Sequence, residues 1–426
     1  MTKTIMPAKR LAGSVPIPGD KSISHRYAML AAIAEGVSTI RSFADSVDCQ
    51  STLECLKKLG VKIDRQGRVV TIEGVGLDGL RPSAKPLDAG NSGSTIRMMT
   101  GILSGQAFRT VIGGDASLSR RPMKRIIDPL TRMGARIYSS EGGLPPLTIE
   151  AASLVPIRYE LPVASAQVKT AILFAGLYAD GLTEVVEPHQ TRDHSEIALR
   201  QFGVEVGRDG RTIGVRGRGR LAAQELVVPG DISSAAFFLV AGLLVPGSDL
   251  AFQGIGLNPT RTAILVFLRS IGGDIKILNC ESRRGELVGS VQVRASSLRG
   301  GEIPRESIPG LIDELPVLAV LGTQTEEGLT FHGARELRVK ESDRIAAVAE
   351  NLHRMGAEVE EFPDGLRIPG RQSLKGAEIS SYGDHRIAMA FSIAGLIADG
   401  STTIRDSDCV QISFPTFFET VAGVAR

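Results

Sequence analysis

The sequence has no excess of charge of either sign, no close-set cysteines and no long apolar run, and each absence removes a class of function. Lys and Arg number 49 against 47 Asp and Glu, a formal net charge of +2, so no polybasic surface for nucleic acid or for an anionic membrane is expected. The four cysteines, Cys49, Cys55, Cys280 and Cys409, are scattered without paired spacing. Neither a zinc site nor a disulfide framework is indicated, no metal is expected, and a reducing cytoplasm fits best. No apolar stretch reaches the roughly 20 residues of a membrane span. Met1 to Leu11 is polar and basic with no apolar segment behind it, which reads as an unexported, soluble protein. ATP use is unsupported too: in Pro18-Gly19-Asp20-Lys21-Ser22 an acid separates glycine from lysine, so the segment fails as a P-loop.

What the chain does have is repetition. With 426 residues it exceeds what one hydrophobic core usually serves, and two or three domains are expected. An apolar helix end, a glycine and an alternating strand recur, as in Leu56-Lys57-Lys58-Leu59-Gly60-Val61-Lys62-Ile63 and Leu199-Arg200-Gln201-Phe202-Gly203-Val204-Glu205-Val206. The glycines stand at 60, 134, 203, 272 and 356, at intervals of 74, 69, 69 and 84, with a sixth candidate at Gly423. A left-handed residue after the last helical turn lets the chain reverse into a strand, so the unit is α plus β and six units are implied. Pro18-Gly19-Asp20-Lys21-Ser22 is echoed 211 residues later by Pro229-Gly230-Asp231-Ile232-Ser233, which divides the six units into two similar lobes of three. The expected division is residues 1–18 plus 231–426 against 19–230, with hinges near 18–20 and 229–231. His25-Arg26-Tyr27-Ala28-Met29 is echoed by His385-Arg386-Ile387-Ala388-Met389, which puts an arginine near a helix start in each half.

Cations and hydroxyls gather where helices are expected to begin. Lys21, Ser22 and Arg26 open one. Ala89-Gly90-Asn91-Ser92-Gly93-Ser94-Thr95-Ile96-Arg97 leads into another, and Ser119 to Arg125 into a third with Pro122 in its first turn. Ser165-Ala166-Gln167-Val168-Lys169 precedes an apolar helix over 170–177, and Thr191-Arg192-Asp193-His194-Ser195 precedes one over 197–202. Helix N-termini offer unpaired N–H groups and partial positive charge, so such residues complete anion sites. Each stretch alone is equally a capped helix with solvated charges. Two acids, Asp313 and Glu314, precede another helix. In Lys340-Glu341-Ser342-Asp343-Arg344 the spacing puts Lys340 and Arg344 on one helix face with Glu341 beside them. Taken together, Lys21, Arg26, Arg121, Arg192, Lys340, Arg344 and Arg386 predict a two-lobed binder of small, multiply anionic molecules that closes upon them.

At these residues the chain resembles the 5-enolpyruvylshikimate-3-phosphate synthase family over essentially its full length. The resemblance is carried by Lys21-Ser22-Ile23-Ser24-His25-Arg26, Gly90-Asn91-Ser92-Gly93, Arg121-Pro122-Met123, Ser165-Ala166-Gln167, Asp313-Glu314, Lys340 to Arg344 and Gly383-Asp384-His385-Arg386. It implies an α/β fold of two similar lobes, each of three βαβαββ repeats, the enolpyruvyl transferase fold, an inside-out α/β barrel. It implies transfer of the enolpyruvyl group of phosphoenolpyruvate to the 5-hydroxyl of shikimate 3-phosphate with release of phosphate, and no metal or organic cofactor. By the same resemblance Lys21, Ser22, Arg26, Ser165, Ala166, Gln167, Arg192, Asp313 and Lys340 hold shikimate 3-phosphate, and Lys21, Gly93, Arg121, Gln167, Arg344 and Arg386 surround phosphoenolpyruvate. Asp313 is the expected base, Glu341 the expected proton donor to the methylene carbon, and Lys21 a further acid toward the leaving phosphate. A monomer without nucleic-acid or membrane partners is expected.

Two positions depart from part of the family. Ile412 precedes Ser413-Phe414-Pro415 where some members carry lysine, a pattern similar to the branch that often tolerates glyphosate. Ser94 follows Gly93 where threonine is common. The alternatives are the related transferase acting on UDP-N-acetylglucosamine, and a non-catalytic anion-binding protein on the same scaffold. Against the first, the stretch Gly113 to Arg121 has no cysteine. Against the second, a pure anion receptor gains nothing from Asp313 and Glu341 among its cations.

Overall fold

The computed structural model describes all 426 residues. They form two compact units: Met1–Pro18 with Pro229–Arg426, and Gly19–Val228. Each has its own buried hydrophobic cluster.

The middle repeat of Gly19–Val228 shows the building block. Strand Leu87–Asp88, helix Gly93–Leu103, strand Thr110–Gly113, helix Lys124–Arg132 and strands Arg136–Ser140 and Leu144–Glu150 follow in chain order, a βαβαββ unit. Its first two strands pair in parallel, and the other pairings are antiparallel, so the sheet runs first, second, fourth, third. Arg158–Glu160 opens a second sheet of the same order. The remaining repeat of this unit takes its first strand from the far end: Glu225–Val227 pairs in parallel with Glu35–Arg41. The other unit mirrors this, since Ala12–Ser14 pairs in parallel with Asp249–Gly256, and Gly301–Glu302 opens its second four-stranded sheet.

The sixth sheet is shorter than the repeat predicts. It has three strands, Glu378–Ser380, Thr402–Arg405 and, closing it antiparallel, Lys3–Ile5. The chain then ends in helical turns, Ser407–Ile412 and Phe417–Val424. Accordingly Gly60, Gly134, Gly203, Gly272 and Gly356 are left-handed, with φ of 88, 96, 89, 103 and 80°. Gly423 lies inside the last helix. No strand comes after it, so no reversal is required there.

One helix of each repeat is central, and those that are apolar nearly all round must be covered on every side. Leu315–Gly322 is buried throughout and Ile232–Leu244 except at its last residue. The mixed sheets lie outside them with one face in water, as the exposed-and-covered alternation of Lys62–Gln66 shows. Small residues permit the close helix packing: a Cβ at Gly101 would stand 2.2 Å from the Ala171 carbonyl oxygen of the neighbouring central helix. Three central helices per unit therefore form the interior, and the anion-binding ends of helices become the places where site residues stand.

Candidate active site

In Gly19–Val228 most candidate residues sit in the first turns of the three central helices, and Arg121 and Arg192 lie in loops ahead of two others. Asp20 caps Lys21–Ala32 by accepting from the Ile23 N–H at 2.9 Å. Lys21, its first residue, donates to Asp48 at 2.8 Å, an acid in the first turn of helix Val47–Lys58. Arg26 lies one turn further in and is 3% exposed. Its guanidinium donates to the Ser22 carbonyl, to Ser195 at 2.7 Å and to Thr170 at 3.0 Å, which ties this helix to two others.

Ser92 caps Gly93–Leu103 through the Thr95 N–H. A Cβ at Gly93 would lie 2.7 Å from an Arg97 nitrogen, so only glycine leaves the guanidinium in place. Arg97 donates to Gln167 at 2.8 Å, and Gln167 donates to Ser94 at 3.0 Å. Gln167 belongs to the first turn of helix Ala166–Gly176, whose cap is Ser165. Arg121 reaches the same loop, donating to the Asn91 side chain at 2.7 Å and to Ser117 at 3.0 Å. The structure thus places Gly93, Arg121 and Gln167 around the Asn91–Ser94 loop, with Arg121 bonded at Asn91 and Gln167 at Ser94. Arg192 stands two residues before helix His194–Gln201.

The second cluster, in Pro229–Arg426, centres on one carboxylate. Lys340 Nζ, Arg344 Nη1 and Arg386 Nε lie 3.8, 3.7 and 3.9 Å from Asp313 Oδ1. Arg386 also donates to the Asp313 carbonyl at 2.7 Å and to Ser233 at 2.9 Å, and Ser233 donates to Glu314. These contacts gather the starts of helices Ile232–Leu244, Leu315–Gly322 and His385–Ile397. Arg344, 1% exposed, pairs with Glu341 at 2.6 Å and with Asp384 at 2.7 Å. Burial works to lower its pKa, but the carboxylates of Asp384, Glu341 and Asp313 outweigh burial and raise it. Lys340 moves the other way: desolvation of its ammonium holds it below the ordinary lysine value, with Arg344 adding to the effect and Asp313 opposing it.

Several local expectations need correction. Lys340 and Arg344 do not share a helix face, because the helix starts at Arg344, capped by Asp343, and Lys340 lies in the loop ahead of it; their common partner Asp313 joins them instead. Pro122 does not stand in a first turn: a short 3-10 turn, Leu118–Arg120, comes before it and the helix opens at Lys124. The helix placed at 170–177 starts four residues earlier, at Ala166, since Ser165 is its cap. His385-Arg386 open their helix, whereas His25-Arg26 are the fifth and sixth residues of theirs, so that echo is out of register by a turn.

Sequence reasoning missed Asp48, Arg97, Thr170, Ser195, Ser233 and Asp384 as partners of the candidate residues. Asp384 carried a signal, because an Asp immediately before His385-Arg386 is where an N-cap stands, and its carboxylate does accept from the Arg386 N–H at 2.9 Å. Thr170 and Ser195 carried none, since their role depends on long-range packing.

Residues 5–421 match the family model for EPSP synthase (3-phosphoshikimate 1-carboxyvinyltransferase). The chain belongs to the EPSP synthase family. A relative from Solibacter usitatus, named 3-phosphoshikimate 1-carboxyvinyltransferase, is 55% identical over 426 residues, all of both chains. One of the same name from Bacillus cereus is 49% identical over 100% of this chain and 99% of its own. Among solved structures, EPSP synthase from Acinetobacter baumannii superposes with a TM-score of 0.89 at 43% identity, covering 100% of this chain and 98% of that one. The enolpyruvyl transferase NikO from Streptomyces tendae gives 0.77 at 18% identity over 99% and 96%, a likeness of fold. The architecture is the enolpyruvyl transferase fold. No helix is long and apolar enough to cross a membrane.

Proposed function

We propose that this member of the EPSP synthase family moves the enolpyruvyl group of phosphoenolpyruvate onto the 5-hydroxyl of shikimate 3-phosphate and releases phosphate, as a monomer in the cytoplasm. The observation that carries the reading is the convergence of Lys340, Arg344 and Arg386 on Asp313, within a chain that matches this family from residue 5 to 421. Cations alone would make a receptor. A carboxylate in their midst supplies a base.

In the proposed addition, Asp313 takes the proton of the 5-hydroxyl while the 5-oxygen of shikimate 3-phosphate bonds to C2 of phosphoenolpyruvate, and the methylene carbon C3 receives a proton from Glu341. Elimination then breaks the C2–O bond to phosphate, with Lys21 giving a proton to the leaving group. Glu341, left as a carboxylate by the addition, takes a proton back from C3, which restores the double bond. Ser22, Arg26, Ser165, Ala166, Gln167 and Arg192, with Lys21, Asp313 and Lys340, hold shikimate 3-phosphate in this reading. Gly93, Arg121, Gln167, Arg344 and Arg386, with Lys21, hold phosphoenolpyruvate. The planar forks of Arg344 and Arg386 suit a carboxylate.

The Arg344–Glu341 ion pair sets a condition on this scheme, because an adjacent cation favours the carboxylate over the acid. Binding of the substrate carboxylate at Arg344 weakens that pair and frees Glu341 to carry a proton. The test is release of phosphate from phosphoenolpyruvate with each acceptor in turn. Release only with shikimate 3-phosphate is expected; release only with UDP-N-acetylglucosamine assigns the related transferase, and binding without release a receptor.

A further inference from the structure

We propose that Lys169, with Glu187 and Glu196, is a clamp that positions Arg192 for shikimate 3-phosphate; this rests on the reading of Arg192 given above. Between strand Leu182–Val186 and helix His194–Gln201 the chain runs through Glu187 to Asp193 without helix or strand. His189 and Gln190, in the middle, are exposed. Both ends of this loop are held by a single ammonium. Lys169 Nζ lies 3.1 Å from Glu187, the first loop residue, and 2.7 Å from Glu196, in the first turn of the next helix. The three side chains are 0%, 0% and 1% exposed.

Ions removed from water to this extent tolerate few arrangements, because each is costly to desolvate and only close pairing offsets the cost. Arg208 balances the second carboxylate from the rim, at 3.9 Å from Glu187 and 3.7 Å from Glu196. The Glu187 carboxylate then reaches along the loop, accepting from the Thr191 N–H at 3.2 Å and from the Thr191 hydroxyl. Thr191 is the residue before Arg192. Lys169 itself stands on helix Ala166–Gly176, two residues beyond Gln167, and Glu196 comes directly after Ser195, the partner of Arg26. The clamp therefore fixes the spacing of Arg192 from Gln167 and Arg26.

The experiment compares Thr191→Val, Thr191→Ser, the charge-neutral pair Lys169→Met/Glu196→Gln and Arg192→Ala in the full chain. Calorimetry gives the Kd of shikimate 3-phosphate, and steady-state kinetics give kcat and the KM for phosphoenolpyruvate. Thr191→Val is expected to weaken shikimate 3-phosphate binding roughly tenfold, the scale of one hydrogen bond to a charged group. The KM for phosphoenolpyruvate and the melting temperature stay close to those of the parent protein, and Thr191→Ser restores binding. The double variant behaves as Thr191→Val does if it folds; if it does not, Thr191→Val decides alone. Weakening by Arg192→Ala but not by Thr191→Val overturns the clamp and leaves the site reading standing. No weakening by Arg192→Ala overturns both. Equal loss for both substrates with a lowered melting temperature overturns the clamp by reducing it to a packing role.

Discussion

Asp313 has three cationic neighbours within 4 Å, and its substitution is the most informative single-residue change. Asp313→Ala removes the proposed base and leaves Lys340, Arg344 and Arg386 without their shared carboxylate. Turnover is expected to fall by about 10²- to 10⁴-fold, the usual weight of a general base; near-normal kcat in this variant contradicts the role. His25 gives a prediction about stability instead. Its ring is fully buried, with Nδ1 2.7 Å from Thr52 Oγ1. Burial, reinforced by Lys21 and Arg26, holds its pKa well below the ordinary histidine value. Above about pH 6.5 the imidazole is neutral folded or unfolded, and its contribution is complete. As pH falls below that value the unfolded chain takes up a proton that the folded one refuses, so stability declines by about 1.4 kcal/mol per pH unit from this residue. Denaturant unfolding at about pH 7.5 and pH 5.5 is expected to show a smaller difference in His25→Gln; an unchanged difference contradicts the assignment.

At the scale of elements, the candidate site is built mainly from helix starts and the loops just ahead of them, and one acid serves two of the starts. Asp384 caps His385–Ile397 and also grips the buried guanidinium of Arg344, at 2.7 Å. Asparagine still caps a helix, so Asp384→Asn separates the two roles. It is expected to destabilise the protein by about 3 kcal/mol, as the breaking of a buried ion pair does, measured by denaturant unfolding. A loss below about 0.5 kcal/mol, within the range of neutral substitutions, contradicts the pairing. Capping is local, and the Gly/Ser loop ahead of Gly93 was legible as a helix start with Ser92 as its cap; Ser165 and Asp343 are caps of the same kind, yet the sequence pattern places those two starts at 170 and ahead of Lys340. The residues just ahead of a start were less legible. The loop from Lys340 to Asp343 has helix-like spacing, yet its conformation is set by the Asp343 cap and by contact with Asp313, which comes from a distant segment.

For the whole molecule, the glycines at 60, 134, 203, 272 and 356 disclosed the repeating unit because each left-handed turn is a local requirement. The borrowing of first strands was not legible: Glu225–Val227 and Ala12–Ser14 join sheets built from distant sequence, and strand partners are set by topology rather than by strand composition. Nor was the truncated last repeat, where Lys3–Ile5 closes the sheet from the other end of the chain. The cation clusters belong one to each unit, Arg26 with Gln167 in Gly19–Val228 and Arg386 with Arg344 in the other. If one reaction uses both, Arg26→Ala and Arg386→Ala each lower kcat/KM by about 10²-fold or more, the value of a charged contact made in the transition state. Full activity in either variant contradicts a shared reaction. The most direct measurement is phosphate release from phosphoenolpyruvate by the purified chain, with and without shikimate 3-phosphate. Release that depends on shikimate 3-phosphate is the predicted result, and no release in its presence, or release that ignores it, contradicts the account.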